Sequence, residues 1–273
     1  LDKERVKHEL SIAQRIQQNF LPDLSGGTSE VEIAARTLPA LVVGGDFYDV
    51  VPMSEEKTGI VIGDVSGKGV PAALFMARAI SELRSLAKEH QSPSTLLTAL
   101  NERLIAAGVP GIFVTLCYLV LDLQSKSISV SSAGHEPLFF YRAKTKKVEW
   151  IRRGIAQPLG LFPEVQYPEE TFSVEEGDSL MMISDGIREL RSPRGEEFGY
   201  RGIERALHAL NGQSAEAAIQ TLFKAMDEFS KGNPAHDDRT VLCIKIGKGL
   251  PAARLPLPDR QAGDGQGRQG EKV

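Results

Sequence analysis

The 273-residue sequence predicts an α+β protein in which one sheet packs on another and helices cover the outside. Short runs rich in Val, Ile, Phe and Tyr fall into blocks, and the blocks are separated by stretches whose apolar residues recur at helical spacing. Within a block only a few polar residues separate the runs. That is too short for the helical crossovers parallel strands require, so neighbouring strands are expected to run antiparallel. Several of these apolar runs also end in an aspartate beside a glycine or a turn, which is where a function is to be sought.

Residues 1 to 20 place Val6, Leu10, Ala13 and Phe20 at alternating four- and three-residue steps, with Gln17 in the remaining seam position. This is a short coiled-coil-like pattern, compatible either with a helix that dimerises or with a surface helix packed on its own domain. Pro22 stops it, and Ser25-Gly26-Gly27-Thr28-Ser29 reads as a turn or linker. Strands are expected at 31–36, 41–53 and 58–65, followed by helices at 70–90 and 93–107, the second opening on Pro93. Runs at 112–123, 127–133, 138–142 and 147–151 suggest an antiparallel meander. After a Pro- and Gly-punctuated stretch, strands are expected at 170–174 and 179–184, amphipathic helices at 201–210 and 214–230, and a last strand at 239–246. Residues 249–273 are rich in Pro, Gly, Gln and charge, lack periodicity and read as disordered. The expected division is therefore a linker helix at 1–24, a globular domain at 25–248 and a tail at 249–273.

The net charge of −4 gives no basic footprint, so neither nucleic acid nor an anionic membrane is the default partner. No apolar run approaches the roughly 18 residues of a membrane helix, and charges interrupt the N-terminus where a signal peptide needs an apolar region. A cytoplasmic protein with no membrane segment in this chain is expected. Cys117 and Cys243 lie inside apolar strands and read as small buried residues. The chain begins at Leu1, which suggests a piece of something longer.

Asp46 follows Gly44-Gly45, Asp64 and Asp185 stand at strand ends, and Asp237 precedes the last strand. Each alone is explained by ordinary turn chemistry. Together, carboxylates at the ends of several strands converge on one edge of a sandwich, where like charges would repel unless a hard divalent cation with oxygen ligands joins them. The spacings of the usual zinc sites are absent. Gly63-Asp64-Val65-Ser66-Gly67-Lys68-Gly69 approximates a phosphate-binding P-loop, but has three residues between its glycines where four are needed, and Gly69 where Ser or Thr belongs. Ser184-Asp185 lacks the flanking glycines of a nucleophile elbow.

The stretches GGDFYDV (44–50), GDVSGKGVPAALFMA (63–77), SAGHEPLFFY (132–141), QPLGL (157–161), MISDGIREL (182–190) and AHDDRTVLCI (235–244) occur in this order. With them the chain resembles the bacterial PP2C-like serine/threonine phosphatases of the SpoIIE and RsbU type over roughly residues 25 to 248. The resemblance implies an αββα sandwich with two Mn²⁺ or Mg²⁺ ions at one edge. It implies that Asp46 binds one ion, that Asp64 bridges both, that the Val65 backbone carbonyl adds a ligand, and that Asp185 and Asp237 complete the coordination of the second ion. Asp49, Asp238 and His236 are candidates for supporting those ligands. The four aspartates would be catalytic through the water that the ions activate for attack on phosphorus. The arginine and acidic histidine of the related eukaryotic enzymes are not matched. Lys68 either touches phosphate or is a solvated turn lysine, and His135 reads as a structural, hydrogen-bonded histidine.

The resemblance further implies a phosphorylated protein substrate, an anti-sigma factor antagonist in a partner-switching pathway, and an upstream sensory domain or regulator. The N-terminal helix would then carry the signal, and a homodimer through it is possible on the seam described above. Two rival readings remain open at this stage: a catalytically silent partner-binding module of the same fold, and a nucleotide-binding switch built on the Gly-Lys loop.

Overall fold

The computed structural model describes residues 2–24, 30–152, 155–208 and 212–248. The Ser25 to Ser29 linker and the 249–273 tail lie outside the described residues. Helix α1 (Asp2–Gln18) leads into β1 (Val31–Leu38), β2 (Phe47–Pro52) and β3 (Lys57–Val65), then α2 (Val70–Leu86) and α3 (Pro93–Ala107). Strands β4 (Val114–Asp122), β5 (Ser127–Ala133), β6 (Leu138–Arg142), β7 (Lys147–Ile151), β8 (Ile155–Ala156), β9 (Glu170–Ser173) and β10 (Ser179–Ile183) follow. The short α4 (Asp185–Arg188), then α5 (Gly199–His208), α6 (Ala215–Ser230) and β11 (Arg239–Ile246) complete the domain.

Two sheets form, one in the order β1-β11-β10-β6-β7 and one in the order β2-β3-β4-β5-β8, with β9 also paired to β5. The central strands read as unbroken apolar runs because both of their faces are buried. In β3, Val61 joins the core beneath α2 and α3, while Ile60 and Ile62 join the core between the sheets. In β11, Leu242 and Ile244 face that same inter-sheet core, while Val241 and Cys243 face α5 and α6. The result is helix, sheet, sheet, helix. Ser92 caps α3 by accepting from the Thr95 amide, Pro93 occupies its first turn, and Gly108 closes it in a left-handed conformation.

Two sequence expectations need correction. The run from residue 41 does not enter a strand until Phe47. Its backbone is held by side chains instead of a ladder: the Ala40 and Gly45 amides each donate to the Asp238 carboxylate at 2.7 Å, and the Gly44 amide donates to Gln17 at 3.2 Å. The expected 112–151 meander is split between sheets, β4 and β5 lying in one and β6 and β7 in the other. Gly134, with φ of 68°, and the Pro137 that follows make the crossing turn. The two-residue parallel strand β8 and the single turn α4 carry too little pattern to be read from sequence.

Helix α1 resolves its two readings in part. Leu10, Ala13, Gln17 and Phe20 are partly buried, whereas Val6, Ile12 and Ile16 are exposed. Gln17, the polar member of the seam, donates to the Gly44 carbonyl at 2.6 Å and accepts from the same residue's amide, so it is satisfied inside the domain. Beneath this contact, Arg84 of α2 donates to the buried Asp49 carboxylate at 2.6 Å and to the Phe20 carbonyl at 2.7 Å. Removing one partner of a buried ion pair costs about 3–5 kcal/mol because the other charge is stranded. Arg84 is 41% exposed at its side chain, which discounts that cost to about 2 kcal/mol. Arg84→Met is expected to lower the urea midpoint accordingly, and Arg84→Met with Asp49→Leu to recover part of the loss.

Candidate active site

The β2–β3 register pairs Phe47 with Gly63, so Asp46 and Asp64, each one residue further along, meet at the same end of that sheet. A Cβ on Gly63 would run into the Phe47 ring, and one on Gly45 would lie 2.6 Å from the Val65 carbonyl oxygen, so glycine lets these strand ends close up. From the other sheet, β10 pairs Ile183 with Val241, and the Ser184 amide donates to the Thr240 carbonyl at 2.9 Å. This brings the start of α4, with Asp185, beside Asp237 and Asp238. A Cβ on Gly186 would collide with the Asp238 carbonyl. The motif glycines are thus spacing elements that let two sheets present their acids together.

The carboxylates feel each other strongly. Burial pushes Asp46 well above the usual carboxylate range, against hydrogen bonds from the Ser184 and Thr240 hydroxyls that pull it down, while the Asp238 and Asp185 charges push it further up. Burial likewise raises Asp64, helped by the charges of Asp46, Asp185 and Asp237 and by a hydrogen bond to Asp46. Asp185 is raised to about 6 by burial, then by Asp237, Glu189 and Glu136, with Arg188 opposing. Among the described residues no three His, Cys, Asp or Glu side chains stand at metal-ligating spacing in this arrangement. The acids meet in pairs and through their fields. The donor set still fits a hard divalent ion: it is all oxygen, drawn from two sheets, and Asp46, Asp64 and Asp185 have raised pKa values for want of nearby positive charge.

The supporting residues sort clearly. Asp238 is buried and spends both carboxylate oxygens on the Ala40 and Gly45 amides, fixing the segment that carries Asp46. Asp237 accepts from the Asp238 amide at 3.0 Å and pairs with Lys68 at 2.8 Å. Lys68 also donates to the His236 carbonyl, tying the 63–70 turn to the last loop, and its pKa is raised chiefly by the hydrogen bond to Asp237. The His236 ring is exposed on the lining of a cleft of about 410 Å³ with Lys68, Gly186, Glu189, Leu190, Arg191 and Asp237. Asp49, expected to support the acidic edge, gives its carboxylate to Arg84 instead. His135 is buried against the Thr115 hydroxyl at 2.9 Å, and burial lowers its pKa to about 4, so it stays neutral near pH 7 and is no general acid.

Ser184, set aside from sequence as a nucleophile, was not expected to support the acids. It donates to Asp46 at 2.7 Å and accepts from the Thr240 amide at 2.9 Å, which places the hydroxyl just after β10 on a carboxylate delivered by the other sheet. The available signal was a serine ending the apolar run LMMI, where a buried hydroxyl needs a partner.

Two sheets packed face to face, helices on both outer surfaces and an acidic edge fed by both sheets define the PP2C-type phosphatase class. The SiaA-PP2C domain of Pseudomonas aeruginosa has the same fold, with a TM-score of 0.80 at 20% identity over 90% of this chain and 99% of that one. Residues 54–252 match the family model of Stage II sporulation protein E, and the chain belongs to this SpoIIE family. Phosphoserine phosphatase RsbU of Bacillus subtilis (strain 168) is 28% identical over 246 residues, covering 89% of this chain and 71% of that relative. Protein IcfG of Synechocystis is 28% identical over 263 residues, and there the match spans 41% of the relative's length.

Proposed function

We propose that this chain is a metal-dependent protein serine/threonine phosphatase that hydrolyses phosphoserine or phosphothreonine on an anti-sigma factor antagonist, within a partner-switching pathway in the cytoplasm. The observation that supports the proposal is the approach of Asp46 and Asp64 from one sheet to Asp185 and Asp237 from the other, in surroundings whose burial and mutual repulsion raise the pKa of Asp46, Asp64 and Asp185. The likeness to a relative named as a phosphoserine phosphatase supports the reaction class.

Asp46, Asp64, the Val65 carbonyl, Asp185 and Asp237 would hold two Mn²⁺ or Mg²⁺ ions. Such ions, when bound, lower the pKa of water and neutralise a phosphoryl group during in-line displacement. The chain's own contribution is placement. Ser184 orients Asp46, Asp238 holds the Gly45 amide so that Asp46 cannot drift, and Lys68 steadies Asp237. The division into a linker helix at 1–24, a catalytic domain at 25–248 and a tail at 249–273 belongs to the same proposal, as do an upstream regulator and a homodimer. The exposed Val6, Ile12 and Ile16 on α1 support a helix that meets another surface. No described helix is long and apolar enough to cross a membrane.

Purified protein with Mn²⁺ is expected to release phosphate from a phosphoserine protein, and excess chelator to stop it. Folded, Mn²⁺-loaded protein that released none from any phosphoserine protein would overturn the reading. A pH effect follows with a fixed sign. Carboxyls whose folded pKa is raised bind more protons folded than unfolded, so the metal-free chain loses stability as pH rises from the ordinary carboxylate value of 3.8 through about 6 for Asp185 and higher for Asp46 and Asp64. Metal binding must displace those protons. Mn²⁺ at about 100 times its dissociation constant adds about 2.7 kcal/mol per site. Its thermal shift is therefore expected to be larger at pH 8 than at pH 5.5, and an equal shift at both would argue against these ligands.

A further inference from the structure

Outside the acidic edge itself, the feature with the most unassigned chemistry is the cleft of about 410 Å³ beside it. One wall carries Asp237 and the floor includes Gly186, next to Asp185. Lys68, Arg191 and His236 bring basic groups to the same cleft. Glu189 also lines the cleft, so its charge is mixed, and the cations that an anion could meet beside the acids are Lys68 and Arg191.

We propose that this cleft receives the phosphoryl group of the substrate and that Lys68 is its phosphate-binding cation; the inference rests on the phosphatase reading and assigns a residue role within it. The positional argument is specific. An ammonium has three protons to donate. Lys68 directs one to the His236 carbonyl and one to the Asp237 carboxylate at 2.8 Å, and no further acceptor for it is recorded among the described residues. Its side chain is 41% exposed, and its Nζ is anchored at a proposed metal ligand on one side and open to the cleft on the other. Gly67 and Gly69, with φ of 93° and 72°, fold the turn so that Lys68 is held across the chain against the last loop instead of pointing to solvent. A phosphomonoester dianion offers three acceptor oxygens, and a charge-assisted bond from a positioned ammonium is among the stronger single contacts available to it. Arg191 is a poorer candidate, because its ion pair with Glu197 at 3.1 Å does not anchor it beside a proposed metal ligand as the Asp237 pair anchors Lys68. This supplies the cation that the comparison with the eukaryotic enzymes left unmatched, from a different element of the fold.

The test is binding of inorganic phosphate, measured by calorimetry on the Mn²⁺-loaded chain, together with steady-state kinetics on a phosphoserine peptide. Compared at Mn²⁺ concentrations that saturate each variant, Lys68→Met is expected to weaken phosphate binding and raise KM by about tenfold, beyond whatever Mn²⁺ affinity is lost when Asp237 loses its partner. Lys68→Arg is expected to recover most of the loss, since it keeps the charge and the reach. Unchanged phosphate affinity in Lys68→Met overturns the assignment. So does a loss of phosphate affinity that merely follows a loss of Mn²⁺ affinity, because Lys68 would then act only through Asp237. Wild-type protein that binds phosphate through Lys68 but hydrolyses no phosphoserine substrate would sink the phosphatase reading and leave the phosphate site standing. Thermal unfolding of each variant separates these outcomes from misfolding.

Discussion

Asp185→Asn and Asp237→Asn are each expected to lower Mn²⁺-dependent phosphate release by more than about a hundredfold, beyond the 10–100-fold that losing a supporting residue costs. Asparagine keeps the shape and one carbonyl oxygen but removes the charge an ion requires. It also removes repulsion: Asp185 is raised to about 6 by burial and by the neighbouring Asp237, Glu189 and Glu136 charges. The metal-free Asp185→Asn chain should therefore unfold no earlier than wild type, while the stabilisation of both variants by Mn²⁺ shrinks. Loss of activity without loss of fold separates a ligand from a structural aspartate. Near-wild-type turnover in both variants would remove these two residues from the ion site.

Asp238→Ala is expected to have the opposite signature, with stability lost in the metal-free and metal-loaded chain alike and activity lost with it in the loaded chain. Its two oxygens satisfy the Ala40 and Gly45 amides at 2.7 Å each, and the Gly45 contact is buried. A buried donor left without an acceptor costs about 1–3 kcal/mol, so a loss of about 3 kcal/mol in urea unfolding is expected for the pair. Asp238→Asn can satisfy only one amide and turns its own donor toward the other, so it should fall between alanine and wild type. A stable Asp238→Ala protein would show that the 40–45 segment is held by other means. Asp237 and Asp238 are adjacent and chemically identical, yet the first faces the acidic edge and Lys68 while the second faces a loop nearly two hundred residues away in sequence.

That contrast marks what a sequence can and cannot convey. Strands β5, β6, β7 and β11 and helix α3 were legible to the residue, because each is bounded by Gly, Pro or polar turns and carries a single unambiguous period. The 41–46 segment was misread as strand because Leu41, Val42 and Val43 have strand composition, while the forces that hold it open come from Gln17 and Asp238. The division of the meander between two sheets was likewise hidden, since a short turn such as 134–137 is compatible with either pairing or crossing. The motifs name the proposed acids, and the strand registers bring Asp46 to Asp64 and Asp185 to Asp237. The supports of those acids were not legible: Asp49 sits in the same motif as Asp46, but strand alternation and Arg84 turn it toward α2.

The acidic edge also behaves as a calliper. One jaw, Asp46 and Asp64, is fixed to the β2–β3 sheet, and the other, Asp185 and Asp237, to the β10–β11 sheet. The gap between the jaws is set by the thickness of the side-chain layer between the sheets, in which Ile62, Phe140, Met182 and Leu242 are fully or almost fully buried. Close-packed interiors transmit volume changes with little compression. A methylene gained or lost in that layer is therefore expected to change the jaw opening, so on the proposed ion site residues that never see solvent or substrate would help to set how well the ion is gripped.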